Sequence, residues 1–263
     1  MKTCEISSFL RIFFVISFLI ISPLASAETN WQSVARLMDE QKFNAASDQV
    51  DTLLKKFKAA KNNNHWRQAL VLGTTLKLKT DPIEETAKYL TNQQWPNDKD
   101  SKLLLNLYLA KVLTQYVKQN HWEIHNRETI KSKKKIGIEK KTIEQINADI
   151  NLTFKAAYQL AQSRPNDALG SLSLEGLKAK NLYFINSDYP LNVRGGIKDT
   201  IAYLWVEHLL DSSMWSIAEQ GQKAKLALNE LLSPVLFINP ADTTKHPLLR
   251  AVSLLNQLEQ QEL

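Results

Sequence analysis

His121 and His125 stand four residues apart, a spacing that on one helical face aims both imidazoles at a single metal ion. Hydrolytic use of such a pair needs a general-base glutamate directly after the first histidine or directly before the second, and Glu123 occupies neither place. With no third ligand nearby, the pair reads as two histidines flanking a buried Trp122 at a helix end. The chain also contains no Gly-rich phosphate loop followed by lysine, no Gly-x-Ser-x-Gly elbow and no dinucleotide fingerprint. Gly170 and Gly176 bracket serines at the wrong spacing, and the carboxylates scatter over polar helix faces. No catalytic, cofactor-binding or metal-ligating residue is assigned, no cofactor is expected, and the chain is expected not to be an enzyme.

A second cluster carries charge rather than reactivity. The formal net charge is +6, and most of the excess falls between Arg127 and Lys141, at Lys131, Lys133, Lys134, Lys135, Lys140 and Lys141. Such a basic loop suits an acidic protein partner or a peripheral contact with an anionic membrane surface, or it is simply a solvated connection between helices. It lacks the interleaved aromatics on which bases stack, so nucleic acid is not expected as a partner. The six tryptophans are spread along the chain, as packing anchors are, rather than gathered into a ligand cage. Asn151-Leu152-Thr153 is a glycosylation sequon inside an expected helix, relevant only where exported chains are glycosylated.

The first 27 residues have the layout of an export signal. Lys2 and Arg11 provide the positive start, and Ile12 to Ile21 is apolar apart from Ser17. Pro23 then precedes Ala25-Ser26-Ala27, the small-x-small pattern of a cleavage site. The apolar run is about ten residues, half of the roughly 20 that span a bilayer as a helix. Cleavage after Ala27 predicts a mature chain starting at Glu28 in the periplasm or cell envelope. Cys4, the single cysteine, would be lost with the signal, leaving no disulfide, thiolate metal site or cysteine nucleophile.

The elements that must position these residues read as helices throughout. Gly and Pro are few, at 7 and 8, and Asn-Gly and Asp-Gly turns are missing. Apolar spacing of three and four predicts an opening helix with Trp31, Val34, Leu37 and Met38, and a second with Val50, Leu53, Leu54 and Phe57. A third carries Trp66, Leu70 and Leu76 behind Asn62-Asn63-Asn64, whose side chains suit the free amides of a first turn. Asp81-Pro82 is expected to open a fourth helix and Trp95-Pro96 to end it. A central buried helix is predicted from about Asp100 to Gln119. Another runs from Lys141 to about Ser163, with Ile143, Ile146, Ile150, Phe154, Ala157, Tyr158 and Ala161 on one face and Arg164-Pro165 closing it. Gly170, Gly176, Pro190 and Gly195-Gly196 break the next thirty or so residues into turns. Helix is expected again at Ile197 to Met214, Ser216 to Leu232 and Pro247 to Leu263. The resulting fold class is all-α: an array of antiparallel helix pairs, TPR-like in the manner of an α-solenoid, in two lobes meeting near Pro165. The domain division is a signal peptide at 1–27, an N-terminal helical lobe at 28–164 containing the basic loop 127–141, and a C-terminal helical lobe at 165–263.

Four stretches together resemble a known arrangement: Phe43 to Phe57 (FNAASDQVDTLLKKF), His65 to Lys79 (HWRQALVLGTTLKLK), Tyr116 to Glu128 (YVKQNHWEIHNRE) and Gly195 to Leu210 (GGIKDTIAYLWVEHLL). From Trp31 to the C-terminus the chain resembles the N-terminal helical region of bacterial alpha-2-macroglobulin-like proteins. The resemblance implies an exported protein of an endopeptidase-inhibitor family, whose members trap proteases among β-sandwich domains and in many cases couple to them through a Cys-x-x-Gln thioester. This chain departs from that plan, since it has no β-sandwich region and no cysteine beyond Cys4. Covalent trapping by this polypeptide alone is excluded on chemistry. The expected function is a non-enzymatic exported helical interaction module, a truncated product slightly favoured over a stand-alone form, with a protein partner or downstream macroglobulin-like domains as its contact. The alternative is an independent periplasmic TPR-like adaptor that holds an acidic protein or a membrane surface through the basic loop.

Overall fold

The computed structural model describes residues 23–128, 136–163, 197–222, 226 and 238–262. All regular structure among them is helical. The helices are α1 (Pro23–Asp39), α2 (Phe43–Ala59), α3 (Asn63–Thr80), α4 (Ile83–Asn92), α5 (Lys99–Gln119), α6 (His121–His125), α7 (Ile143–Gln162), α8 (Ile197–Leu210), α9 (Ile217–Gln222) and α10 (Pro247–Glu262). Single 3₁₀ turns occur at Ile138–Lys140 and Ser212–Met214. No helix among the described residues is long and apolar enough to cross a membrane.

Local signals account for several helix starts. Asn62 caps α3 by accepting from the His65 amide, and Asp98 caps α5 by accepting from the Ser101 amide at 2.8 Å. Thr142 and Gln145 form a reciprocal capping box at the head of α7, which makes that boundary sharp. The first two connections share one device. Gln41 and Lys61 take left-handed φ values of 57° and 52°. Behind each, the next amide reaches back five residues, Lys42 to the Leu37 carbonyl at 2.8 Å and Asn62 to the Phe57 carbonyl at 3.0 Å. This is the helix-ending geometry that normally selects glycine.

Three expected boundaries move. Asp81-Pro82 does not cap α4 in the expected order: Asp81 ends α3, bonded by Lys77 and Thr80, and Pro82 occupies the capping position of a helix that begins at Ile83. That helix stops at Asn92, before Trp95, whose indole N–H donates back to the Leu90 carbonyl at 3.0 Å. The expected helix from Ile197 to Met214 breaks at Asp211, because its carboxylate accepts from the Ser213 amide and hydroxyl and pairs with Lys118 of α5. A short acidic side chain that finds local donors competes with the helix ladder. Of the segment expected from Ser216 to Leu232, α9 is the described helix. Residues 1–22, Arg164-Pro165 and the turns up to Gly196 lie outside the described residues.

Packing runs largely between neighbours in sequence, α1 on α2, α2 on α3, α3 on α4 and α4 on α5, after which α5 packs on α7, α7 on α8 and α8 on α10. Helix α5 is central, but its buried residues are not confined to one stripe. Leu103, Leu104 and Leu105 are consecutive and all buried, since α3, α4, α6, α7 and the Ser212–Met214 turn touch α5 from different sides. Complete burial of each such leucine contributes about 1.5–3 kcal/mol. A single buried apolar cluster extends from Val34 to Leu258. Trp31 ties α1 into it by donating to His65 Nδ1 at 3.1 Å and stacking on Phe57.

Candidate functional site

The histidine pair lies on α6, a single helical turn set apart from α5 by Asn120, whose φ of −116° leaves the helical range. The ring centroids of His121 and His125 are 3.9 Å apart, so the spacing does bring them together. His125 is nevertheless occupied on both sides: Nδ1 lies 2.8 Å from the His121 carbonyl and Nε2 lies 3.0 Å from the Trp215 carbonyl. Both ring nitrogens of His125 thus face backbone carbonyl oxygens. No group of three or more metal-ligating side chains occurs among the described residues.

Trp122 is not buried between these histidines, as its aromatic character suggested. It is 81% exposed, and Ile124 turns into the core in its place. A one-turn helix buries one face only, and here that face is taken by Ile124. Among the described residues the second most exposed large apolar side chain is Ile217, at 72%, on the first turn of α9. The two short helices meet around a cavity of about 410 Å³, lined by Ile124, His125, Arg127, Thr142, Ile217 and Ala218 among others.

Arg127, counted in the sequence as part of the basic cluster, is internal in the fold. Its side chain is 12% exposed. Nη1 donates to the carbonyls of Ile138 and Lys141 at 3.2 and 3.1 Å, and Nη2 donates to the Tyr116 hydroxyl at 3.1 Å and to Glu123 at 2.7 Å. Burial opposes its charge, but the bonds to Glu123 and Tyr116 outweigh this and hold its pKa above the ordinary arginine value. The fork thereby fastens the chain after residue 137 to the chain before residue 128. Lys141 is likewise engaged, paired with Asp149 on α7. Lys140 is exposed, while Lys131, Lys133, Lys134 and Lys135 lie outside the described residues.

The sequon is closed by packing. Asn151 is 1% exposed, donates to the Asn147 carbonyl and accepts from the Trp205 indole at 2.8 Å. An oligosaccharide transferase has no access to that amide in the folded chain.

A cavity of about 260 Å³ with both polar and apolar walls has no signature in the sequence. It lies between α7, α8 and α9 and the start of α10, with Asn147, His208, Leu209, Met214, Glu219 and Arg250 in its wall. Arg250 is 2% exposed; Nε donates to the Pro240 carbonyl at 2.7 Å, whereas Nη2 has no hydrogen-bond partner. Burial pushes its pKa down to about 10, partly offset by Glu219 and Asp242. His208 is buried against Phe154 with Nδ1 unpartnered, and burial, reinforced by Arg250, pushes its pKa down to about 3. Asn147 donates to the Met214 carbonyl and leaves Oδ1 unpartnered. A sequence signal for this cavity was lacking, because Asn147, His208 and Arg250 are far apart along the chain and each reads as an ordinary polar position of an amphipathic helix. Comparison with protein-family models, with curated proteins and with solved structures gives no match.

Proposed function

We propose that the chain is a non-enzymatic, exported helical module that acts through protein contacts, similar in kind to the N-terminal helical region of bacterial alpha-2-macroglobulin-like proteins and without the means to trap a protease covalently. One observation carries the contact role: the two most exposed large apolar side chains among the described residues, Trp122 and Ile217, stand on short helices that border one cavity. Ile217 lines that cavity and Trp122 is exposed on the neighbouring α6; a tryptophan that loses its solvent on binding is a frequent energetic centre of a protein interface. The sequential packing of α1 to α5 supports the TPR-like array of helix pairs, and the division into two lobes near Pro165 belongs to the same proposal. Lobe, address and family all rest on the sequence pattern.

The test has two parts. Intact-mass measurement of the protein recovered from a periplasmic fraction is expected to show loss of residues 1–27, and an uncleaved or cytoplasmic chain removes the export element. In a full-length macroglobulin-like relative, grafting this segment in place of the native helical region is expected to preserve protease inhibition. Trp122→Asp or Ile217→Asp in the graft is expected to abolish it with the helical circular dichroism unchanged. Inhibition that ignores both substitutions sinks the contact surface.

The adaptor reading keeps one specific support, the Arg127 fork, which fixes the base of the lysine-rich segment. If that segment is the contact, neutralising Lys133, Lys134 and Lys135 lowers partner recovery and added salt does the same, because the Debye length falls from about 10 Å at 0.1 M to about 3 Å at 1 M. Recovery indifferent to both removes this version.

A further inference from the structure

His246 and His125 differ in what their partners demand of the ring. At His246 the Leu248 amide donates to Nδ1 at 3.2 Å while Nε2 donates to the Glu219 carbonyl at 3.0 Å, the pattern of one neutral tautomer. At His125 both partners are carbonyl oxygens, of His121 at 2.8 Å from Nδ1 and of Trp215 at 3.0 Å from Nε2, and neither oxygen can donate. The two contacts are both hydrogen bonds only when each ring nitrogen carries a proton. In either neutral tautomer one bare nitrogen faces a carbonyl lone pair. We propose that His125 is a proton-operated latch: as an imidazolium it ties α6 to the turn that leads into α9, and on losing a proton it gives up one end of that tie.

The latch sits where packing alone holds the two short helices weakly. Ile124 is the one buried residue of α6, and no residue of α9 is buried. Trp215, by contrast, is buried, and its indole donates to the Leu209 carbonyl at 2.9 Å, so its own carbonyl is a fixed point for His125 to hold. Ser216 and Glu219 then cap the start of α9 reciprocally. The charged and titratable groups around the ring fit a single added proton. On α6, the ring centroid of His121 lies 3.9 Å from that of His125, and two imidazoliums at that distance repel each other. The proton belongs to His125, whose nitrogens each face an acceptor. After α6, Arg127 shares a cavity wall with His125, and Glu123 pairs with its charge. From α7, Glu144 brings a carboxylate to the same cavity. Lys118 of α5 and Asp211, ahead of the turn to Trp215, pair with each other at 2.6 Å, and Glu219 of α9 is engaged by Ser216. The tie is therefore complete with the His125 ring charged and weakens as pH rises. Its regulatory consequence rests on the contact role proposed above, because the tie fixes the helix that carries Trp122 against the turn that leads to Ile217.

Two-bond ¹H–¹⁵N spectra of the full labelled chain, taken from about pH 5 to 8 where histidine changes charge, read each ring nitrogen directly. At the acid end both His125 nitrogens are expected to be protonated, and the Trp122 indole and Ile217 methyl signals are expected to shift together with the loss of one of those protons. His125→Gln is expected to remove the pH dependence of the Trp122 and Ile217 signals. His121→Gln, which leaves the backbone carbonyl in place, is expected to keep it. A His125 ring that holds one state, charged or neutral, across the whole range overturns the latch. So does a transition of Trp122 and Ile217 that survives in a folded His125→Gln or that follows the His121 ring instead. Should His125→Gln fail to fold, the ring nitrogens of the parent chain decide. In the macroglobulin-like graft, inhibition is expected to weaken about tenfold from the acid to the alkaline end relative to a His125→Gln graft, the size expected of one hydrogen bond from a charged donor. Identical pH profiles for the two grafts overturn the regulation and leave the contact role standing. Inhibition indifferent to Trp122→Asp removes the contact role and leaves the latch, read on the chain alone, in place.

Discussion

Replacing Arg127 by methionine removes four donated hydrogen bonds at one stroke. The bond to Glu123 counts for little, since that carboxylate is 64% exposed and an exposed pair contributes about 0–1 kcal/mol. The other three reach the Ile138 and Lys141 carbonyls and the hydroxyl of Tyr116, which is buried. At about 1 kcal/mol net per bond they total about 3 kcal/mol, and because the two carbonyls can take water instead, the expected loss is about 2–3 kcal/mol. Arg127→Lys is the discriminating partner. It keeps the charge but not the planar fork, so it serves one of the carbonyls and is expected to lose about 1–2 kcal/mol. Urea unfolding followed by circular dichroism reads both, as a lower midpoint at unchanged slope. Adding sodium chloride is expected to leave the difference nearly constant, since the three main bonds go to uncharged acceptors. If Arg127→Lys matches the parent within about 0.5 kcal/mol, the arginine acts by charge alone and the reasoning about its fork is wrong.

Other expectations follow the same logic. Lys61→Gly and Gln41→Gly each relieve a left-handed backbone, and each is expected to raise stability by up to about 1 kcal/mol in thermal or urea unfolding; loss of stability in both shows that the native side chains contribute more than the strain they carry. Trp205→Phe leaves Asn151 Oδ1 without its indole donor and shrinks a ring stacked 6.0 Å from Phe154, for an expected loss of about 2–4 kcal/mol; a loss below about 1 kcal/mol refutes the buried pair. His208 is uncharged in the fold down to about pH 3 but titrates near its ordinary value of 6.5 when unfolded, so the unfolded chain binds the extra proton between those limits. Its contribution is complete above pH 6.5 and is lost as pH falls, at about 1.4 kcal/mol per pH unit, and His208→Gln is expected to flatten this limb in urea midpoints taken from pH 7 to 4.

Much of the helical layout was legible before the fold. The stripes of α2 and α7 and the cap at Asn62 depend on residues within one or two turns, so spacing alone reveals them, whereas α3 is buried on every side from Trp66 to Thr74. The Thr142 capping box is equally local, a threonine three places before a glutamine ahead of an apolar run. Where reading failed, a distant group intervened. Lys118 on α5 helps hold Asp211 at the break after α8, and Asp81 turned back to α3 instead of opening α4.

Side-chain roles divide along the same line. By itself the sequence determines an all-helical chain and the one pair of histidines four apart, because helical period and local capping are nearest-neighbour properties. The tertiary structure decides that Trp122 faces solvent, that His125 is taken up by the Trp215 carbonyl, and that Arg127 is a fastener rather than a surface charge. It also brings Asn147, His208 and Arg250 to one cavity from three helices. The reason is physical: exposure and hydrogen-bond satisfaction depend on what packs against a residue, and here such partners lie as far apart along the chain as His125 and Trp215 or Lys118 and Asp211.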